Sequence, residues 1–390
     1  MAVLEAALAT ALAVTLVGCS SGATTDEQPE TQAEPVKIGA IVSLTGTYAG
    51  LGDPEKKTIE MEVARINEAG GINGRPVEVI IEDDATDEAK AVAAATKLIE
   101  QDGVIAIIGA TGSGQTMAVR GEIDRAEIPQ VSMAGATVIT KQFDPLVFAT
   151  PWSNTIVAPY TLEALKQAGL TKIGLITDSG GFGKDGREVV AAEAANWGAT
   201  IVSDQTFNPG DTDMTAQLTK IKSSGADVLL IWTAGKEAAT IVKNADELGL
   251  GMPVYGSHGN ARKELSDGAG ASANGFRFAA GKILVPAAYG ENSEAFKVAT
   301  DFVTRYQAAY GDAPSTFAGH AYDALYLITE AATRVSGELT ASALRDEIEK
   351  TSGFVGIGGT FTFSGTDHNG LSKNDLILYE IKDGAWKTVD

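Results

Sequence analysis

The chain has 390 residues, 44% hydrophobic, 21% charged and 6% aromatic, enough apolar material for one large or two medium cores, which excludes a disordered or fibrous protein. Thirty Lys and Arg against 51 Asp and Glu give a net charge of −21, and so acidic a surface repels nucleic-acid phosphates and anionic lipid. One cysteine, Cys19, and three histidines on separate segments, His258, His320 and His368, exclude an intramolecular disulfide and a Cys-rich zinc site and give a metal cluster no support.

Residues 6–17 are apolar apart from two threonines and run into Leu16-Val17-Gly18-Cys19-Ser20-Ser21-Gly22. A short apolar core, small residues and a cysteine resemble a bacterial lipoprotein signal over 1–18, cut before Cys19, whose thiol then carries lipid. The run is too short to span a bilayer comfortably. Glu5 puts an acid where such signals have a basic start, which points to a start codon further upstream. Residues 19–35 hold Ser, Thr, Gln, Glu and Pro and almost nothing apolar, so burial cannot offset the entropy of ordering them. They are expected to form a disordered tether with a reach of about 20 Å. The folded part is then an extracytoplasmic domain, in the periplasm or on the outer face of the membrane.

The body alternates strand and helix patterns. A strand over 36–42 precedes a Gly-rich loop and a helix carried by Met61, Ala64, Arg65 and Ile66, which Gly70-Gly71 stops. Next come a strand over 77–81, a helix over 88–101, a strand over 104–108, a helix over 115–125 and a strand over 130–132. A second series has helices over 154–168, 184–197, 214–223 and 238–248, with strands over 172–177, 200–205, 227–232 and 253–255. Helix patterns return at 293–310 and 317–334, and a β-rich stretch covers 354–388. This is the rhythm of two α/β units with parallel, helix-covered sheets, joined by several chain crossings. Such sheets bind ligands beyond the carboxyl ends of their strands.

Gly109-Ala110-Thr111-Gly112-Ser113-Gly114-Gln115-Thr116 matches a phosphate loop except that Gln115 replaces the lysine, so the β- and γ-phosphates lose their main cation. The same strand-to-helix turn presents backbone N–H groups and hydroxyls suited to a smaller anion such as a carboxylate. Asp83, Asp84 and Asp87 lack calcium-loop spacing and read as a solvated strand end and helix cap. Asp213 reads as the cap of the helix after it. The run 180–184 after Asp178 reads as a flexible loop from which Phe182 faces a ligand, or as a helix start with Phe182 packed inward.

Ile38-Gly39-Ala40 with Thr45-Gly46, Ile66-Asn67-Glu68-Ala69-Gly70-Gly71-Ile72-Asn73-Gly74-Arg75 and Asp83-Asp84-Ala85-Thr86-Asp87 resemble the branched-chain amino-acid-binding proteins of ABC importers. The Gly-Gly-Ile-Asn-Gly-Arg run is specific for them, and similar segments continue through Gly135-Ala136-Thr137 and over 213–222, 227–250 and 353–371. The resemblance implies a type I periplasmic binding fold, α/β, with two Rossmann-like lobes closing on ligand about a three-segment hinge. It places an N-terminal lobe at 36–153 plus 281–376 and a C-terminal lobe at 154–280 plus 377–390. The family's lobe disulfide maps to Thr86 and Gly112, so both cysteines are absent together.

In relatives that bind leucine, a serine at the helix start after the third strand holds the ligand carboxylate, and Ser113 stands there. Gly135 and Thr137 match the second carboxylate-side loop, Phe182 falls where the family often has tyrosine, and Leu51 where it often has an aromatic. The family's amino-group acids align with Asn154 and His258, and an aligned tyrosine becomes Ala234. None of these carries a negative charge, and burying an ammonium without a carboxylate costs several kcal/mol, which a cation–π contact from Phe182 offsets only in part. The expected ligand is therefore a small carboxylate such as an aromatic or keto acid, with branched-chain or other hydrophobic amino acids second. Trp232 is expected either to close over the ligand with Phe182 and His258 or to be a core aromatic.

The resemblance implies a solute receptor without cofactor or metal, not an enzyme, monomeric, lipid-anchored through Cys19 and serving ABC permease subunits. The alternative is a ligand-sensing lobe for a signalling partner. A dehydrogenase or kinase lacks its Gly-x-Gly-x-x-Gly after the first strand and its phosphate-loop lysine.

Overall fold

The computed structural model describes residues 33–389. The expectations for the signal over 1–18, for Cys19 and for nearly all of the tether over 19–35 lie outside them. β1 (Val36–Val42) is an apolar run with only Lys37 polar, buried along almost its whole length, as a strand covered on both faces must be. It is followed by α1 (Ala49–Glu68), β2 (Val77–Asp83), α2 (Glu88–Lys97), β3 (Ile107–Gly109), α3 (Ser113–Ala118), α4 (Arg120–Ala126), β4 (Gln130–Ser132), α5 (Val138–Lys141) and β5 (Val147–Ala149). The five strands form one parallel sheet in the order β2-β1-β3-β4-β5.

The second series is α6 (Asn154–Gln167), β6 (Lys172–Asp178), α7 (Gly181–Glu193), β7 (Thr200–Phe207), α8 (Thr215–Ser223), β8 (Val228–Trp232), α9 (Glu237–Glu247), β9 (Val254–Gly256), α10 (Lys263–Ala269) and β10 (Arg277–Gly281). The chain then builds α11 (Glu294–Tyr310), α12 (Thr316–Arg334), α13 (Ala341–Glu349) and a hairpin of β11 (Ser352–Val355) and β12 (Thr360–Thr362). It ends with β13 (Leu376–Lys382) and β14 (Ala385–Thr388), which join the second sheet in the order β14-β13-β10-β9-β8-β6-β7.

Ala321, Leu325 and Ile328 of α12 pack on Ile38, Ile108 and Val131, so this late helix belongs to the first sheet. The chain therefore passes between the two sheets three times: after β5, after β10 and before β13. The other face of the first sheet packs Ile41 and Ile107 against Leu98, Val119 and Ile123. The second sheet buries Leu175 and Leu230 on one face and Leu229 and Ile231 on the other.

Several expectations change. The second sheet is mixed, because β13 and β14 run antiparallel at its edge. The helix expected over 115–125 breaks at Val119 into α3 and α4, where Arg120 turns to Asp144 and the carbonyls of Ile139 and Gln142. β5, α5 and α10, at three, four and seven residues, are too short to show a period. Asp87 does cap α2 by accepting from the Lys90 N–H, but Asp84 is not solvated. It is fully buried, accepts the Ser43 hydroxyl at 2.6 Å and the Thr86 N–H at 2.8 Å, and burial pushes its pKa up. The run 180–184 is no flexible loop: it starts α7, and Phe182 is buried.

Candidate functional site

Loops from the carboxyl ends of both sheets converge on one narrow cavity. The first sheet sends Tyr48 and Leu51 from beyond β1, Thr111, Gly112 and Ser113 from beyond β3, and Met133 to Gly135 from beyond β4. The second sheet sends Phe182 from the start of α7, Ala234 from beyond β8, and His258 and Gly259 from beyond β9. Phe317 and His320, one turn apart on α12, complete the wall with Pro151. The two sides meet closely. A Cβ on Gly181 would stand 2.7 Å from the Gly114 nitrogen, and one on Gly135 would stand 2.6 Å from His258 Nε2, so both approaches need glycine.

Among the described residues, no Asp, Glu, Lys or Arg side chain lines this cavity. Its polar groups are hydroxyls, backbone and two imidazoles. Ser113, at the first turn of α3, accepts the Ala136 N–H on Oγ at 3.2 Å, which ties the loop after β4 to the one after β3. Thr111 is held from behind, its hydroxyl on the buried Glu55 carboxylate and its oxygen accepting the Ser43 N–H. Phe182 meets His258 edge to face at 5.1 Å, and His320 lies 5.9 Å from Phe317 and 5.5 Å from Trp152. An apolar or aromatic body is thus flanked by rings, with hydrogen-bonding groups at discrete points.

Both imidazoles are neutral. Burial pushes His258 down to about 3, with the Trp152 carbonyl opposing only partly, and burial beside His258 does the same to His320. Among the described residues, His258 has only the nearby Trp152 carbonyl, outside good hydrogen-bond geometry, and Nδ1 of His320 has no hydrogen-bond partner. A buried unpaired nitrogen costs stability unless a ligand or water meets it. The unfolded chain takes up these protons near 6.5, whereas the fold refuses them until about 3, so stability falls as pH drops through that window. Each imidazole contributes up to about 1.4 kcal/mol per pH unit. His320→Gln should therefore flatten the stability–pH slope by about that amount between roughly pH 6 and 4 in urea melts. An unchanged slope would mean that His320 titrates normally in the fold.

Of the residues singled out from the sequence, Leu51, Ser113, Gly135, Phe182, Ala234 and His258 stand on the cavity wall. Thr137, Asn154 and Trp232 stand behind it. Trp232 is fully buried and donates from Nε1 to Asn154 Oδ1 at 3.0 Å, while Asn154 Nδ2 donates to Asp185 at 2.7 Å. The Thr137 N–H donates to the same Asp185 carboxylate at 2.8 Å. Tyr48, Thr111, Phe317 and His320 were not singled out. Thr111 belongs to the glycine-rich run over 109–116, whereas Phe317 and His320 read as ordinary positions of an apolar helix.

The family model described as "Periplasmic binding protein" matches residues 35–385. The Leu/Ile/Val-binding protein BraC3 of Rhizobium johnstonii is 28% identical over 83% of this chain and 88% of that protein. An extracellular ligand-binding receptor from Rhodopseudomonas palustris HaA2 superposes with a TM-score of 0.85 at 28% identity, over 92% of this chain and 100% of that one. The branched-chain amino acid transporter substrate-binding protein LivJ of Streptococcus pneumoniae, solved with isoleucine, gives 0.81 at 28% identity, over 91% and 99%. With two Rossmann-like lobes, a cavity at the facing strand ends and a family match over nearly its whole folded length, this chain belongs to the periplasmic binding protein family and has its type I fold.

Proposed function

We infer that the protein is the solute receptor of an ABC importer. It captures a small carboxylate with an apolar or aromatic body between its lobes and presents it to permease subunits in the membrane. The lobes are 36–153 plus 281–376 and 154–280 plus 377–390, the three crossings act as the hinge, and Cys19 carries a lipid anchor. Its relatives are solute-binding proteins, and no part of this reading calls for enzymatic chemistry. The observation that carries the ligand class is a cavity that pairs the Ser113 hydroxyl with aromatic walls and, among the described residues, holds no charged side chain.

The ligand's carboxylate meets Ser113 and the neighbouring backbone, and closure brings Phe182, His258 and Ala234 over its body. Two neutral imidazoles accept from or donate to a hydroxyl, carbonyl or amide, but they cannot neutralise an ammonium. Aromatic and keto acids fit this wall better than leucine, isoleucine or valine, the ligands named for BraC3. Closure shifts a population toward the bound form, and the ligand can do so only as far as it binds that form better.

The test is a thermal-shift screen against 4-hydroxybenzoate, cinnamate, 4-methyl-2-oxopentanoate and the branched-chain amino acids. A ligand that binds only the folded state raises the midpoint. Acids without an ammonium should raise it and leucine should not; a large shift with leucine alone overturns the ligand class. For the acid that binds, Ser113→Ala should weaken affinity by roughly 1.5–3 kcal/mol, or about 10- to 150-fold, in calorimetric titration. Full affinity in a folded Ser113→Ala protein would remove Ser113 from the carboxylate site.

A further inference from the structure

Asp185 is a buried carboxylate on α7 whose three hydrogen bonds all come from neutral donors. Two of them are backbone N–H groups of the other lobe, Thr137 at 2.8 Å and Val138 at 3.3 Å, at the start of α5 between β4 and β5. The third is Asn154 Nδ2 at 2.7 Å, whose own carbonyl is fixed by Trp232 Nε1 at 3.0 Å. Asn154 begins α6 directly after the first crossing between the sheets, and its N–H donates to the Gly135 carbonyl at 3.0 Å. Asp185 does not line the cavity. The loop it grips does: Gly135 is on the wall and the Ala136 N–H holds Ser113 Oγ.

We propose that Asp185 is an affinity-determining positioning residue, a latch that holds the two lobes together through the Thr137 and Val138 N–H groups without touching the ligand. A carboxylate accepting backbone N–H bonds makes stronger bonds than a neutral acceptor, and these exist only when the lobes are apposed. Opening strands both N–H groups and a desolvated carboxylate until water enters, so the bonds bias the lobe equilibrium whatever ligand is present. Every ligand that requires closure gains the same factor. The same loop presents Gly135 and orients Ser113, so latching also sets the carboxylate end of the cavity. This rests on the receptor reading above only in calling the apposed lobes a closed state.

The test compares wild type, Asp185→Asn and, should that variant fail to fold, Asn154→Ala, each checked by circular dichroism. In ligand-free protein, amide exchange at Thr137 and Val138 should quicken about tenfold or more in the variants while the cores of both sheets stay protected. In titrations with 4-hydroxybenzoate, 4-methyl-2-oxopentanoate and L-leucine, every probe that binds wild type should weaken by one common factor of roughly tenfold or more. The loss should appear as faster dissociation with unchanged association. Unchanged exchange at both amides overturns the latch. A loss confined to one probe also overturns it, because it places Asp185 against the ligand. If none of the probes binds wild type, the ligand class fails and the exchange measurement still decides the latch.

Discussion

His258→Glu is expected to raise the cavity's affinity for L-leucine well above that of the wild-type protein. In the wild-type wall an α-ammonium would meet hydroxyls, ring faces and two imidazoles that burial keeps neutral down to about 3. Leaving one member of a buried ion pair without its partner costs about 3–5 kcal/mol, so a glutamate at 258 should raise leucine affinity about 100-fold or more. The gain has a cost in the empty protein. The new carboxylate would sit against Phe182 and the Trp152 carbonyl, with its pKa raised by the same burial that lowers the imidazole's. The variant should thus melt below wild type alone, recover with leucine, and gain nothing from 4-methyl-2-oxopentanoate. If leucine shifts wild type as strongly as the variant, another group already neutralises the ammonium.

Trp232→Ala should cost about 3–5 kcal/mol of folding stability, among the largest losses for a single truncation in this chain. The indole is fully buried with Leu175, Val190 and Leu230, and its edge lies where a Cβ on Gly186 would come within 2.0 Å of Cδ1. Removing it opens a cavity between β8 and α7 and strips Asn154 of its donor. Urea melts measure the loss. Trp232→Phe keeps most of the packing and loses the Nε1 hydrogen bond, for about 1–3 kcal/mol, with the rank order of ligands unchanged. A changed rank order would make Trp232 a ligand contact after all.

Trp232 also marks the border between what was legible in the sequence and what was not. Its run over 228–232 is apolar at every position, so a buried strand was readable; which face the last residue presents was not, because a strand covered on both sides has no polar face to set the register. Thr137 illustrates the same limit. A hydroxyl residue in a glycine-rich loop after a strand is a fair carboxylate ligand, yet here its N–H serves Asp185 and its hydroxyl is buried without a partner. Phe317 and His320 could not be assigned from the chain alone, since an apolar helix and a cavity wall use the same residues at the same spacing.

The sequence by itself determined the alternation of strands and helices, their division into two series, and the loops from which Ser113 and Phe182 come, while His258 was reached only through the family resemblance. Those features depend on local periodicity, glycine chemistry and composition, all properties of neighbours along the chain. Only the tertiary structure decided that α12 brings Phe317 and His320 onto the cavity wall, that Asp84 is buried, and that Asn154, Asp185 and Thr137 share one hydrogen-bonded network. Such outcomes join residues tens to hundreds of positions apart. They are set by burial and close approach between elements, which no local pattern encodes.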